Sequence, residues 1–391
     1  MTREIFMIAG EPSGDSLGAS LIRQINVSEG DSVSVTGVGG DLMAREGLVS
    51  LLPMSDLCVM GLLEIVAQLP RLLKLIQALV EEIEKRQPAV LVTIDLPDFN
   101  FQVAKRLKKR GIFKGKIIHY GAPTVWAWRP RRAKRLARFL DGMMCLFPFE
   151  PPYFEKEGLE ALFVGHPLVE NDPATFDRAG FRESLGLAPE DLCLGVFLGS
   201  RESEISIHAP VFTEVLALLR RSYPDLHVIV PTLPHLEYEV SQMTPPLGPN
   251  VSLIVTKERK WDAFVGCDFA LAVSGTVGLE LAYAGVPHVI AYKMNPLTAL
   301  IVRFLVRVRF AHLGNIMMDD EIVPECIQGK CNALDIARAL LSLMRKAEIR
   351  QAQKEALRNI GNLLKPEGGL SPSEKAARFV LAASQSTTSG P

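Results

Sequence analysis

Leu91-Val92-Thr93-Ile94-Asp95-Leu96-Pro97-Asp98-Phe99-Asn100 is the stretch from which the fold can be read. The apolar residues from Ala89 to Ile94 predict a strand buried on both faces, as in a parallel sheet. Pro97 cannot continue ladder pairing, so the chain turns there, and a helical pattern resumes near Phe99. Asp95 therefore stands at the carboxyl end of a parallel strand, where open α/β sheets bind their ligands. On this stretch alone, Asp95 or Asp98 could equally serve only to cap the following helix.

Working outward, Ile5–Ala9 predicts a first strand, followed by a glycine-containing loop and a helix from about Ser16. The unit is Rossmann-like, but Gly10, Gly14 and Gly18 miss the G-x-G-x-x-G spacing, so nothing points to NAD. The loop puts Glu11, Ser13 and Asp15 at a sheet edge, with helix capping as the plainer alternative. Val33–Val38 and Lys116–Tyr120 read as further strands, as do Cys145–Phe149 and Leu162–Val164. A helical pattern from Gly61 to Ile83 has a wide apolar face that includes Leu69, Leu72 and Ile76, and Pro70 is expected to kink or split it. Most such faces are core; the excess here also suits a patch resting on a membrane. The strand at 116–120 runs through His119 into a loop holding Trp126 and Trp128, and a basic run from Arg129 to Arg138 follows. That run reads either as a solvated helix face or as an attractor of anionic lipid or phosphate.

A second alternation begins after a polar segment at 169–190, expected to be a linker. Strands are predicted at Cys193–Leu198, His227–Val230, Val251–Val255, Phe269–Val273 and His288–Tyr292, with helices between them. Two rounds of strand and helix predict an α/β protein of two doubly wound parallel-sheet domains facing a central cleft. The expected division is 1–168, then 191–345, with C-terminal helices at 346–391 returning to the first domain. In Val273-Ser274-Gly275-Thr276, a strand ends and a helix begins, so unpaired amides and the positive helix end make an anion site. Glu280, one turn in, could take ribose hydroxyls. Ser200 and Arg201 lie at another strand-to-helix turn, where a guanidinium could pair a phosphate bidentately. Either motif alone reads as capping or surface charge; both together favour a nucleotide-diphosphate site.

Composition narrows the function. The 391 residues are 48% hydrophobic with a formal net charge of −1, which argues against a dedicated nucleic-acid binder. Six scattered cysteines lack metal-ligand spacing and favour a reducing compartment. The N-terminus does not read as a signal peptide, and no run is long enough to span a membrane. Seven histidines are dispersed and no Asp-x-Asp pair follows a strand, so neither a metal nor a cofactor is expected.

Gly10–Asp15, Ile94–Asn100, His119-Tyr120 through Trp126-Ala127-Trp128-Arg129, Gly165-His166-Pro167, Gly199-Ser200-Arg201 and Ser274-Gly275-Thr276 resemble, in order along nearly the whole chain, the lipid-A-disaccharide synthase family. The resemblance implies a GT-B fold and an inverting glycosyl transfer. The donor would be UDP-2,3-diacylglucosamine and the acceptor 2,3-diacylglucosamine 1-phosphate. The products would be the β-1,6-linked disaccharide 1-phosphate and UDP, formed at the cytoplasmic face of the inner membrane of Gram-negative bacteria by a peripherally bound enzyme. Asp95 would be the general base, with Asp98 a cap or orienting partner. Arg201 and Ser274–Thr276 would hold the diphosphate, and Glu280 the ribose. Asn315 and Gln328 match donor-side positions. His312 and Gly314 depart from the family's usual Ser and Pro, which is expected to loosen the loop around Asn315. The long C-terminal helical region leaves room for a homodimer. Two rivals are another GT-B-like enzyme acting on UDP-N-acetylglucosamine, such as a 2-epimerase, and a non-catalytic nucleotide-sugar-binding protein docked on a membrane.

Overall fold

The computed structural model describes residues 2–57, 62–243, 247–255 and 259–386, with only the backbone described for 62–68, 297, 301, 303 and 386. Cys58 and Gly61 fall outside these residues. The chain divides into two compact units, Met1–Glu170 with Leu364–Pro391, and Asn171–Leu363.

The first unit holds β1 (Arg3–Ala9), α1 (Pro12–Glu29), β2 (Val33–Val38), α2 (Asp41–Arg45), β3 (Val49–Ser50), α3 (Leu62–Arg86), β4 (Val90–Ile94), α4 (Pro97–Arg110), β5 (Lys116–Tyr120), α5 (Arg131–Leu136), β6 (Gly142–Cys145), α6 (Pro151–Glu155) and β7 (Glu160–Phe163). Its seven strands run parallel in the order β3-β2-β1-β4-β5-β6-β7. Side chains alternate faces along each strand. Phe6 and Ile8 of β1 thus enter the core shared with α3 and α4, while Ile5, Met7 and Ala9 enter the core shared with α1.

The second unit holds α7 (Arg178–Glu183), β8 (Cys193–Phe197), α8 (Glu202–Arg220), β9 (His227–Thr232), α9 (Glu237–Met243), β10 (Val251–Val255), α10 (Lys260–Gly266), β11 (Phe269–Val273), α11 (Thr276–Tyr283), β12 (His288–Tyr292), α12 (Pro296–Leu305), α13 (Leu313–Met318), β13 (Glu325–Ile327), α14 (Ala333–Arg345) and α15 (Ala347–Leu363). Its parallel order is β10-β9-β8-β11-β12-β13. The last helix, α16 (Pro372–Ser386), packs on α1 in the first unit, burying Ala376, Ala377, Val380 and Leu381.

Four expectations change here. The segment at 169–190 carries α7, which packs on α10 within the second unit. Of the helices at 346–391, α15 belongs to the second unit, packed on α11 and α14, so only α16 joins the first. Helix α3 runs through Pro70 as one helix rather than splitting. Its apolar face also divides. Ile76, Leu79, Val80 and Ile83 are buried in the core, Leu72 is partly buried against it, and Leu69 and Leu73 are 48% and 41% exposed. Ile76 is therefore core rather than membrane-facing.

Candidate active site

In a doubly wound sheet, the ligand crevice opens at the carboxyl ends of the two strands where the order reverses. In the first unit those strands are β1 and β4, which pair directly. The loop after β1 ends at Glu11, Ser13 lies in the first turn of α1, and the turn after β4 carries Asp95. The motifs read separately along the sequence thus meet at the switch point.

The turn at Asp95 is tightly held. Asp95 and Leu96 adopt left-handed φ values of 50° and 43°, uncommon for residues with a Cβ and costly unless the surroundings fix them. Three groups do so. The Asp95 amide donates to the Tyr120 carbonyl at 2.9 Å. The fully buried Asn100 side chain donates to the carbonyls of Ile94 and Asp95 at 3.1 and 2.8 Å. The Ser13 hydroxyl donates to Asp95 Oδ2 at 2.7 Å, fixing the carboxylate itself. Glu11 sits close enough that burial and the Asp95 charge together raise its pKa. Neither aspartate caps α4, whose N-cap is Leu96 without a side-chain bond. Asp98 instead projects outward and pairs with Arg132 at 3.2 Å.

Three sequence candidates belong to the scaffold. Asp15 is buried and accepts the amides of Gly40, Leu42 and Met43 at 2.8–3.1 Å, so it ties α1 to the start of α2 instead of meeting a substrate. His119 is fully buried, 2.8 Å from the Thr93 hydroxyl and packed on Phe101. Burial pushes its pKa down to about 3, so at neutral pH the ring is uncharged. Trp126 points into the unit, and its Nε1 donates to Glu150 at 3.1 Å.

Sequence reading missed Glu150. Its second oxygen accepts the amides of Leu146 and Phe147, both at 3.0 Å, so one buried carboxylate fixes the tryptophan loop to the end of β6. Burial raises its pKa to about 7 against the pull of these donors. The folded chain therefore keeps a proton that the unfolded chain releases at ordinary carboxylate pH. Stability should fall as pH rises from about 4.5 to about 7 and level off above that. Glu150→Gln should flatten that slope, with the gap to wild type widest near pH 8, as melting temperatures across pH 5–8 will show.

In the second unit the order reverses between β8 and β11. Gly199-Ser200-Arg201 follows β8 and Ser274-Gly275-Thr276 follows β11, so these motifs also meet at a switch point. Gly199 has φ 112°, and Glu204 one turn into α8 accepts the Ser200 amide at 2.9 Å and Arg201 Nη1 at 3.0 Å. The Arg201 side chain is 75% exposed. The first turn of α11 has no acidic residue, so its positive end is unopposed, and Gly275 opens onto free space. Glu280 pairs with Lys260 at 2.6 Å, a partner with no sequence signal because β11 separates the two residues. Gln328 follows β13 with φ 53°, and its buried Nε2 has no hydrogen-bond partner among the described residues. Such an orphan is costly and suits a site completed by a ligand.

Asn315 differs. It is fully buried, donates to Val323 O at 2.8 Å and Glu325 Oε1 at 2.9 Å, and accepts the Val323 amide at 2.9 Å. All of its groups are used inside the protein. Nor is its loop loose. His288 Nδ1 donates to Val286 O at 2.7 Å, which leaves Nε2 to accept from His312 Nε2 at 3.2 Å. The His312 Nδ1 then accepts the Asn315 amide at 3.4 Å. Burial holds both rings neutral, as this chain of bonds requires, with His288 at about 3 and His312 at about 4. Among the described residues, no cluster of His, Cys, Asp or Glu could hold a metal.

A family described as lipid-A-disaccharide synthetase matches residues 5–378. A lipid-A-disaccharide synthase of Rhodospirillum centenum is 43% identical over 377 residues, covering 96% of this chain and 94% of the relative. One from Paramagnetospirillum magneticum is 43% identical over 383 residues, with 96% of each covered. Among solved structures, a UDP-GlcNAc 2-epimerase from Neisseria meningitidis bound to UDP-GlcNAc aligns with TM-score 0.64 at 11% identity, covering 97% of this chain and 100% of that one. The glycotransferase of kitacinnamycin aligns with TM-score 0.61 at 15% identity, covering 98% and 99%. These distant likenesses establish a GT-B fold. Two parallel sheets with their motifs at both switch points, and a family match running almost end to end, place the chain in the lipid-A-disaccharide synthetase family.

Proposed function

We propose that Asp95 is the general base of an inverting transfer from UDP-2,3-diacylglucosamine to the 6-hydroxyl of 2,3-diacylglucosamine 1-phosphate. The O6 proton passes to the Asp95 carboxylate as O6 bonds to the donor C1. The bond from C1 to the diphosphate breaks, and its electron pair leaves with UDP. Arg201 and the amides at the start of α11 take up the charge that grows on the diphosphate. Glu280, oriented by Lys260, holds the ribose, and Gln328 offers its unpartnered amide to the donor. The observation that supports this reading most is the carboxylate at the first unit's switch point, fixed by Ser13 and by the Asn100-braced turn. Incubating the protein with the two acylated substrates tests it: the disaccharide 1-phosphate and UDP should appear in equal amounts. Release of UDP without a disaccharide would overturn it.

Acylated substrates call for a lipid-facing surface. None of the described helices is long and apolar enough to cross a membrane. We assign peripheral attachment, at the cytoplasmic face of the inner membrane, to the exposed face of α3. Leu69→Ser with Leu73→Ser should cut sedimentation with vesicles while leaving the melting temperature unchanged. Ile76→Ser should instead lower stability by roughly 2–4 kcal/mol, because that side chain is core.

A further inference from the structure

We propose that the basic segment after the tryptophan loop binds the 1-phosphate of the acceptor, an assignment that rests on reading Asp95 as the base at the acceptor hydroxyl. Residues 129–140 contain Arg129, Arg131, Arg132, Lys134, Arg135 and Arg138 and no acidic residue. So many like charges in one turn and a short helix repel one another, and the fold supplies little to offset this. Of the six, only Arg132 has a carboxylate partner among the described residues.

That one ion pair places the segment. Arg132 bonds Asp98, in the first turn of α4 and three residues past Asp95, and its guanidinium lies 5.2 Å from the Phe101 ring. The start of α5 is thereby tied to the same sheet edge as the base. After burial, Arg132 contributes to lowering the pKa of His119, the last-but-one residue of β5, which pairs with Thr93 two residues before Asp95. Arg129 is held as well. Its guanidinium carbon lies 3.9 Å from the centroid of the Trp128 ring, whose Nε1 donates to the Thr124 hydroxyl at 3.3 Å. Held over the indole and without a carboxylate partner among the described residues, this guanidinium has N–H groups to offer a phosphate, which a guanidinium can grip bidentately. Arg131, exposed at the first position of α5, adds a second cation without a carboxylate partner among the described residues.

The acceptor supplies the matching anion. Its reacting 6-hydroxyl, carried on C5, and its 1-phosphate flank the same ring oxygen, so seating the hydroxyl at Asp95 leaves the phosphate to be met by a neighbouring part of the same edge. An anionic lipid headgroup carries related chemistry, and the test separates the two sources by working in neutral detergent micelles, where no such headgroup is present.

The experiment compares kcat/KM for the acceptor and for its analogue bearing a free 1-hydroxyl, in wild type, Arg129→Ala, Arg131→Ala and Arg129→Lys. Wild type should prefer the phosphorylated acceptor by about 10- to 100-fold, the worth of one or two charge-assisted contacts. Each alanine variant should shrink that ratio several-fold, mainly through KM, and Arg129→Lys should keep part of it. An unchanged ratio in both alanine variants overturns the subsite. It does so even if the same variants lose binding to anionic vesicles, which would give the cluster to membrane headgroups. No disaccharide from either acceptor with wild-type protein overturns the functional reading and the subsite together.

Discussion

Asp95→Asn is expected to lower turnover by roughly 10²–10⁴-fold, the usual contribution of a positioned general base. The substitution is close to isosteric. The Ser13 hydroxyl can still donate to the amide oxygen where it now meets Oδ2, and the Asn100 bonds go to backbone carbonyls that remain. The left-handed turn should therefore survive, and asparagine tolerates that conformation well. UDP affinity should hold, because every donor-side element proposed above lies in the second unit. A third readout comes from Glu11, whose pKa is raised by burial and, secondarily, by the Asp95 charge. Removing that charge should move Glu11 back toward the ordinary carboxylate range, visible by NMR titration. Undiminished turnover would remove Asp95 as the base, and Glu11→Gln would then be the next variant to assay.

Arg201→Ala should cost about 10²–10³-fold in kcat/KM, comparable to deleting one preorganised donor from a developing negative charge. The pattern differs from that of Asp95→Asn because UDP itself should also bind more weakly, the product diphosphate being the charge that Arg201 meets. Folding should be unaffected. The Arg201–Glu204 pair is mostly exposed on the arginine side, and such pairs contribute little. Glu204 keeps the Ser200 amide in either case. Arg201→Lys should recover part of the charge effect but lose the bidentate geometry. Equal UDP affinity in wild type and the alanine variant would move the diphosphate away from this turn.

The aspartate variant thus reads proton transfer alone, whereas the arginine variant reads both binding and leaving-group charge. A non-catalytic nucleotide-sugar binder would respond to the second substitution and ignore the first.

Much of this architecture is legible along the chain. Runs such as Ala89–Ile94 and Phe269–Val273 have no polar face to show to water, so they can only be strands covered on both sides. Their alternation with helical patterns dictates parallel sheets, and parallel sheets place Glu11, Ser13, Asp95, Arg201 and Thr276, in the loops and helix starts that follow the strands, at carboxyl edges. Those conclusions follow from local pattern and chain connectivity, which one sequence carries in full.

Burial and partnership were decided by the tertiary structure. Asp15 and Ser13 are two residues apart, yet Asp15 meets the amides of α2 while Ser13 meets Asp95. The helix turn between them sends their side chains in different directions, and only packing determines what each finds. Ile76 and Leu73 share an apolar pattern but fall on opposite sides of the core boundary, since that boundary is set by where α4 lies against α3. Glu150, Lys260 and the His288–His312 pair carry no motif, because each takes its role from a partner brought close by folding. The sequence determined which strand ends could hold chemistry. Three-dimensional packing alone decided which of the polar residues there are left free for it.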